Sequence, residues 1–180
     1  MTILSKEAIL EEFGSTFEHS PWIADAAFEA GAFQGIVRAA DGVVRLEPRE
    51  AERIHAAMCE AFRAAPREKR LEVLNAHPDL AGRLAVEDAL TEDSKAEQAG
   101  AGLDRLTPDE HGRFSELNER YTRMFGHPFI VAVKGLGKAD ILSQFGRRLE
   151  NGADEEFETA CREVEKIAAL RLDARTEGSA

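Results

Sequence analysis

The sequence predicts an all-α fold, a single-domain compact helical bundle of about seven to nine helices. Hydroxyl and proline residues typical of helix starts recur, as in Ser20-Pro21 and Thr107-Pro108. Apolar residues recur at helical spacing in the segments between such signals. The only strand-like run is "FIVAVK", residues 129–134, which has no second strand to pair with. We interpret this run as a buried connecting segment or a helix.

The individual elements follow from local patterns. Ser20-Pro21 starts a helix over "WIADAAFEA", and "PREAERIHAAMCEAFRAA" and "PREKRLEVLNA" are both typical of helices. Thr107 and Glu110 form a capping box, and Gly126 is placed to end the helix that follows. The apolar stripe of that helix is Phe114, Leu117, Tyr121 and Met124. Further helices are predicted over residues 138–150 and about 153–175, and residues 79–106 should alternate helical turns with loop.

Length and charge limit the possible functions. The 180 residues, 43% of them hydrophobic, suit one domain over residues 1–180, with 176–180 as a frayed tail. A formal charge of −11 argues against binding nucleic acid or an anionic membrane, so a small-molecule or protein partner is expected. No apolar run reaches the roughly 20 residues of a membrane helix, and the N-terminus lacks signal-peptide features, which predicts a cytoplasmic protein. Cys59 and Cys161 are expected to be buried free thiols.

His77 stands directly before Pro78, and a proline disfavours helical geometry in the residue that precedes it. The imidazole is therefore expected just beyond a helix end. Two interpretations remain open, a loop histidine bonded to a nearby carbonyl and a proton donor or acceptor in a cleft. The segment from Ser94 to Glu97 has the pattern of a capping box, which alone explains both residues. A carboxylate beside a histidine can also orient the ring and raise its pKa, which suits acid–base chemistry.

The last predicted helix carries a cation on its apolar face. Arg171 falls on the face formed by Phe157, Cys161, Val164, Ile167 and Ala168, whereas Glu163 and Glu165 fall on the polar face. Such an arginine either pairs with a buried carboxylate, binds a substrate carboxylate, or extends to solvent near the helix end.

No pattern indicates a metal or nucleotide site. His77, His111 and His127 lack the close His-x-x-x-His spacing of a specific metal site. The chain has no glycine-rich phosphate loop in a strand–helix context. We therefore expect neither a metal nor a nucleotide cofactor.

Four segments together resemble the 2-oxo-4-hydroxy-4-carboxy-5-ureidoimidazoline (OHCU) decarboxylases of urate breakdown. They are "NAHPDLAGRLA", "LTEDSKAEQAGAGLDRLT", "LNERYTRMFGHPFIVAVKG" and "ILSQFGRRLENGADEEFETACREVEKIAALRL". The resemblance covers most of residues 5–175, with the motifs in the family's order. It implies an all-helical, cofactor-free and commonly dimeric carboxy-lyase that converts OHCU to (S)-allantoin and carbon dioxide. At His127 the chain departs from the family, which often has an apolar or aromatic residue before this proline.

The resemblance also implies which residues form the site. His77 would be the catalytic histidine and Glu97 its acidic companion. The substrate-binding residues would be Pro78, which shapes the loop, together with Ser94, Gln98, Phe129, Ile130, Val131, Ala132 and Arg171. No electron-sink cofactor would be needed, because the conjugated ring of the substrate can accept the electrons released with carbon dioxide.

Two other functions account less well for the sequence. A transthyretin-like hydrolase of the same pathway would require a strand-rich sequence. A non-catalytic helical interaction module would explain the caps and apolar stripes, but not the apolar-face Arg171 together with the two polar motifs.

Overall fold

The predicted helices are present in the computed structural model, which describes residues 2–81 and 92–176. Within these ranges the α-helices are α1 (Lys6–Phe13), α2 (Pro21–Glu29), α3 (Pro48–Ala64), α4 (Arg67–Ala76), α5 (Glu92–Gly100), α6 (Pro108–Phe125), α7 (Lys138–Arg148) and α8 (Ala153–Asp173), with a 3-10 turn at Leu103–Arg105. Two short strands, β1 (Thr2–Ile3) and β2 (Val37–Arg38), pair antiparallel, with Thr2 opposite Arg38. The mainly helical prediction is confirmed, with this small strand pair as an addition.

The chain divides into two units. The first comprises Met1–Ala76 with Glu165–Ala180, and the second comprises His77–Val164. That both belong to one domain spanning residues 1–180 stays a prediction. Thr176, placed in the predicted tail, pairs with Leu46 in an isolated parallel bridge. Residues 177–180 of that tail lie outside the described residues.

The core of the first unit is aromatic and aliphatic. Phe13 and Phe33 have ring centroids 5.1 Å apart, and the ring centroids of Phe17 and Phe62 are 5.5 Å apart.

The helix starts of the first unit differ in how they are capped. The Ser5 Oγ accepts a hydrogen bond from the Ala8 N–H at 3.3 Å. Ser20 makes no such side-chain bond, so α2 begins on the backbone preference of its first proline alone.

The core of the second unit forms around α6, α7 and the chain between them. Thr107 and Glu110 make the predicted capping box, and Gly126 ends α6 in the left-handed region at φ 78°. The "FIVAVK" run has neither helix nor strand, and it is buried or partly buried up to its exposed last residue, Lys134, as the first of the two interpretations expected. Phe129 in this run stacks on Phe145 with centroids 3.7 Å apart.

Three side chains lie elsewhere than helical periodicity predicts. Met124 is exposed, because the apolar stripe of α6 continues from Tyr121 to Phe125, whose ring centroids are 4.7 Å apart. Glu163 and Glu165 are buried, although they were assigned to the polar face of α8. Arg63 binds both carboxylate oxygens of Glu165, at 2.7 and 2.5 Å. Glu163 accepts a hydrogen bond from the Ala132 N–H at 2.9 Å. Both partners are distant in sequence and leave no periodic signal.

None of the helices among the described residues is long and apolar enough to cross a membrane.

Candidate active site

His77 follows directly on α4, which ends at Ala76. Its position just past a helix end is as predicted, and Pro78 accounts for it by disfavouring continued helix at His77. The side chain is buried, with only 5% of its surface exposed. A buried imidazole is shielded from bulk water, which strengthens any electrostatic interaction that it makes.

The loop from His77 to Ala81 is held by two side chains of the same unit. The Gln98 Oε1 on α5 accepts from the Ala81 N–H at 3.0 Å. The Asn118 Nδ2 on α6 donates to the Leu80 carbonyl at 2.8 Å. Ala81 has φ 52°, in the left-handed region that residues with a Cβ rarely adopt. The two bonds therefore stabilise a loop conformation that the local sequence alone disfavours.

Sequence reasoning missed Asn118. The residue lies four positions after Phe114 and three before Tyr121, so it falls on the apolar stripe of α6 and is buried there. A buried amide on an apolar stripe needs hydrogen-bond partners, and this mismatch was the available signal. The Leu80 carbonyl, 38 positions away in sequence, is one such partner.

Helix α5 presents Ser94, Glu97 and Gln98 on one face, because residues three and four apart are neighbours on a helix. Ser94 and Gln98 are buried, and Glu97 is partly buried. The helix begins at Glu92, so Ser94 is its third residue and not its cap. The capping-box interpretation of Ser94 and Glu97 was therefore wrong. Since Gln98 also reaches the Ala81 backbone, the structure links this face to the His77 loop.

Asp79 is the carboxyl residue of the His77–Ala81 loop, and no sequence motif indicated a role for it. Burial raises the pKa of Asp79 above its ordinary value, because a charged carboxylate is disfavoured away from water. The group therefore keeps its proton to a higher pH than an exposed aspartate does.

The segment Phe129–Ala132 lies in the same unit as the His77 loop. Phe129, Ile130 and Val131 are buried, and Ala132 is partly buried. Just before it, His127 is buried among the rings of Tyr121, Phe125 and Phe157. Its ring thus packs where the family often has an apolar or aromatic side chain.

Arg171 belongs to the first unit, near the end of α8. Only 7% of its surface is exposed, so it does not extend to solvent. The Arg171 Nη1 donates to the Glu18 Oε2 at 2.7 Å and to the Ser15 carbonyl at 3.2 Å. Of the three alternatives, the buried carboxylate partner is the one present. Glu18 has φ 51° and is 1% exposed, and no local sequence pattern indicated either property.

Among residues 2–81 and 92–176, no group of three or more His, Cys, Asp or Glu side chains is arranged to hold a metal ion. The expectation that the protein needs no metal stays a prediction.

Comparison with known proteins places these residues in a family. The model of the OHCU decarboxylase family matches residues 2–173. A 2-oxo-4-hydroxy-4-carboxy-5-ureidoimidazoline decarboxylase of Haloferax volcanii is 37% identical over 172 residues, which cover 96% of this chain and 91% of the relative. The crystal structure of an (S)-allantoin synthase superposes with a TM-score of 0.70 at 27% identity, covering 97% of this chain and 51% of that one.

A second crystal structure, of an OHCU decarboxylase in the presence of (S)-allantoin, has a TM-score of 0.64 at 21% identity and covers 88% of this chain and 92% of that one. At this identity the likeness concerns the fold alone. The family match spans nearly the whole chain, and it includes all four segments that carried the resemblance. The chain belongs to the OHCU decarboxylase family.

Proposed function

We propose that this protein is a carboxy-lyase that decarboxylates OHCU to (S)-allantoin in urate breakdown, without a cofactor. The observation that carries the proposal is the family match over residues 2–173. The structure supplies polar side chains of the expected kinds in the second unit, on α5 and in the loop after α4. We also propose that the enzyme is a homodimer, as the resemblance implies, and that it is cytoplasmic, as the sequence pattern predicts.

The proposed chemistry begins with His77 and Glu97. Cleavage of the bond to the carboxylate releases carbon dioxide and leaves an electron pair on the substrate, which its conjugated ring accepts. His77 donates a hydrogen bond or a proton to the ring as this charge develops, and Glu97 assists that transfer. Delivery of a proton to one face of the intermediate gives the S product.

The remaining predicted residues act by binding and orienting the substrate. Pro78 fixes the loop that carries His77, and Ser94 and Gln98 present polar groups from the same face of α5. Gln98 already accepts the Ala81 N–H through its Oε1, so its Nε2 is the group assigned to the substrate. Phe129, Ile130, Val131 and Ala132 line the site and offer backbone groups. The assignment of Arg171 as a substrate ligand rests on the resemblance. A guanidinium has five N–H donors, so pairing with Glu18 does not by itself exhaust them.

A non-catalytic interaction module is the alternative function, and a direct assay distinguishes the two. The purified protein is supplied with freshly generated OHCU, and the chirality of the allantoin formed is followed by circular dichroism. We expect (S)-allantoin to accumulate well above the uncatalysed rate, with no change after exhaustive treatment with a chelator. Racemic allantoin at the background rate would contradict the decarboxylase. Activity that a chelator abolishes and an added metal restores would contradict the cofactor-free chemistry.

Replacement of Glu97 by glutamine should lower the rate roughly a hundredfold or more, within the usual range for acid–base groups. Glutamine keeps the size of the side chain but loses the charge and the exchangeable proton. Because glutamine and glutamate have similar helix propensities, the midpoint of urea unfolding should barely change. Steady-state kinetics with OHCU and urea titration of the same preparation test both expectations.

The matched control is Glu119→Gln, on an exposed position of α6, which should leave rate and stability unchanged. If Glu97→Gln were as active as the wild type, the partner of His77 would have to be sought elsewhere. Asp79, the partly buried carboxyl group in the loop that carries His77, would be the next residue to replace.

A further inference from the structure

The segment Phe129–Ala132 is buried backbone outside any helix or strand. Its N–H and C=O groups obtain no partners from regular secondary structure, and buried backbone groups without partners are costly. Two of them are satisfied by charged side chains. The Arg148 Nη1 on α7 donates to the Ile130 carbonyl at 2.5 Å. The Glu163 Oε2 on α8 accepts from the Ala132 N–H at 2.9 Å.

Arg148 is itself fixed within the second unit. It is buried, and its Nε donates to the Glu156 Oε1 at 2.7 Å. The Tyr121 hydroxyl donates to the same carboxylate oxygen, and the Asn151 Nδ2 donates to the other oxygen at 2.7 Å. The Arg148 guanidinium carbon lies 4.5 Å from the centroid of the Phe129 ring. The cation therefore contacts the segment twice, at a ring face and at a carbonyl.

The charged side chains that bind the Phe129–Ala132 segment, Arg148 and Glu163, indicate a role beyond stability. Replacing a buried ion pair by well-packed apolar side chains is often neutral or stabilising, so burying charge is a poor route to stability alone. Here the charges are directed at the backbone of the segment, Arg148 at a carbonyl and Glu163 at an N–H two residues later. Charge-assisted hydrogen bonds of this kind are shorter and stronger than neutral ones. Any other backbone conformation of the segment that breaks these two bonds is therefore disfavoured.

We propose that Arg148 and Glu163 are positioning residues, which hold the backbone of Phe129–Ala132 in the conformation that the decarboxylation requires. The proposal rests on the proposed function, in which this segment lines the substrate site. Neither residue need touch the substrate. Each acts through the backbone group that it binds, since small displacements of a substrate-contacting wall cost large factors in rate.

The test uses variants of Arg148 and Glu163 that weaken or remove their hydrogen bonds to the backbone of the segment. In Arg148→Lys the ammonium can still pair with Glu156, but it has no planar fork to reach the Ile130 carbonyl at the same time. Glu163→Ala removes the acceptor of the Ala132 N–H, whereas Glu163→Gln keeps an oxygen acceptor at that position. Kinetics with OHCU, the enantiomeric excess of the product, and amide hydrogen exchange of peptides spanning residues 127–137 are measured for each variant.

For Arg148→Lys and Glu163→Ala we expect kcat/KM to fall about tenfold or more, with a lower excess of the S product and faster amide exchange in the segment. Glu163→Gln should restore most of each quantity. The control is Tyr121→Phe, which removes one donor to Glu156 and the hydroxyl that accepts from the Arg148 Nη2 at 3.3 Å, but leaves both bonds to the segment. It should lower the free energy of unfolding while leaving kcat/KM and product chirality unchanged.

Two results would overturn the proposal. One is wild-type amide exchange, or wild-type kcat/KM, in both Arg148→Lys and Glu163→Ala. The other is an equal loss of kcat/KM in Tyr121→Phe at matched stability, because the effect would then follow stability alone. Hydrogen exchange needs no substrate, so it is read independently of the decarboxylase assay. An inactive wild type would contradict the proposed function, while unchanged exchange in the variants would contradict the positioning role.

Discussion

Replacement of His77 by alanine should abolish most of the decarboxylase activity, with a loss of roughly 10²- to 10⁴-fold in kcat. The imidazole is the group assigned to stabilise the charge that develops as carbon dioxide leaves, and alanine offers neither a hydrogen bond nor a proton. Far-ultraviolet circular dichroism should remain native, since His77 lies beyond the end of α4 and alanine keeps the backbone groups of this position. Steady-state kinetics with freshly generated OHCU measure the effect.

His127 provides a matched control within the same chain. It also precedes a proline and is also buried, yet its ring packs among aromatic side chains and no catalytic role is assigned to it. His127→Phe should keep the wild-type rate, because an aromatic ring suits that environment. A His77→Ala variant that turns over OHCU at the wild-type rate would remove the central residue of the proposed site.

Replacement of Arg171 by methionine should lower the free energy of unfolding by about 3–5 kcal/mol, as expected when one partner of a buried ion pair is removed. Glu18 is only 1% exposed, and its Oε2 accepts from the Arg171 Nη1 at 2.7 Å. Methionine would leave this carboxylate buried without that cation. Urea unfolding monitored by circular dichroism gives the change directly.

Three further variants distinguish the loss of a buried ion pair from other effects of replacing Arg171. Arg175→Met breaks a pair with Glu12 whose side chains are 30% and 22% exposed, together with a 2.7 Å bond to the Glu12 carbonyl and a contact with the Phe13 ring. It should cost less than Arg171→Met, because the pair is partly solvated. The double variant Glu18→Gln with Arg171→Met should recover much of the lost stability, because no charge is then left buried. Arg171→Lys keeps the charge but loses the planar fork, so KM for OHCU should rise with the fold retained. Equal costs for Arg171→Met and Arg175→Met would contradict the buried-pair interpretation.

Helix starts and ends were predictable where the signal is local and complete. Helix α6 is capped by Thr107 and Glu110 at its start and by Gly126 at its end. Each of these residues lies within one turn of the backbone groups that it binds. The same serine-to-glutamate pattern at Ser94 misled, because α5 starts two residues earlier at Glu92. A cap motif states which backbone groups a side chain could bind. It does not state whether the residues before it continue the helix.

The position of His77 was predictable because the restriction that a proline imposes is covalent and acts on its immediate neighbour. The hydrogen bonds that hold the candidate site residues in place were not predictable. Asn118 binds a carbonyl 38 positions away, Glu18 binds Arg171 across 153 positions, and Glu163 binds the Ala132 N–H across 31. Each was assigned from helical periodicity or not assigned at all. Periodicity identifies the face that is buried, but a charged residue is buried when a partner meets it, and only tertiary structure supplies that partner.

The reactivity of the two cysteine thiols can report how often each unit of the protein unfolds locally. Cys59 and Cys161 are both buried thiols that form no disulfide, and burial raises the pKa of Cys59 to about 12. Since alkylating reagents attack the thiolate, native Cys59 should be almost inert at neutral pH and should react only after its surroundings open. Cys59 lies in the first unit and Cys161 in the second. The alkylation rates of the two thiols, resolved by peptide mass, would therefore report separately how often each unit opens under native conditions.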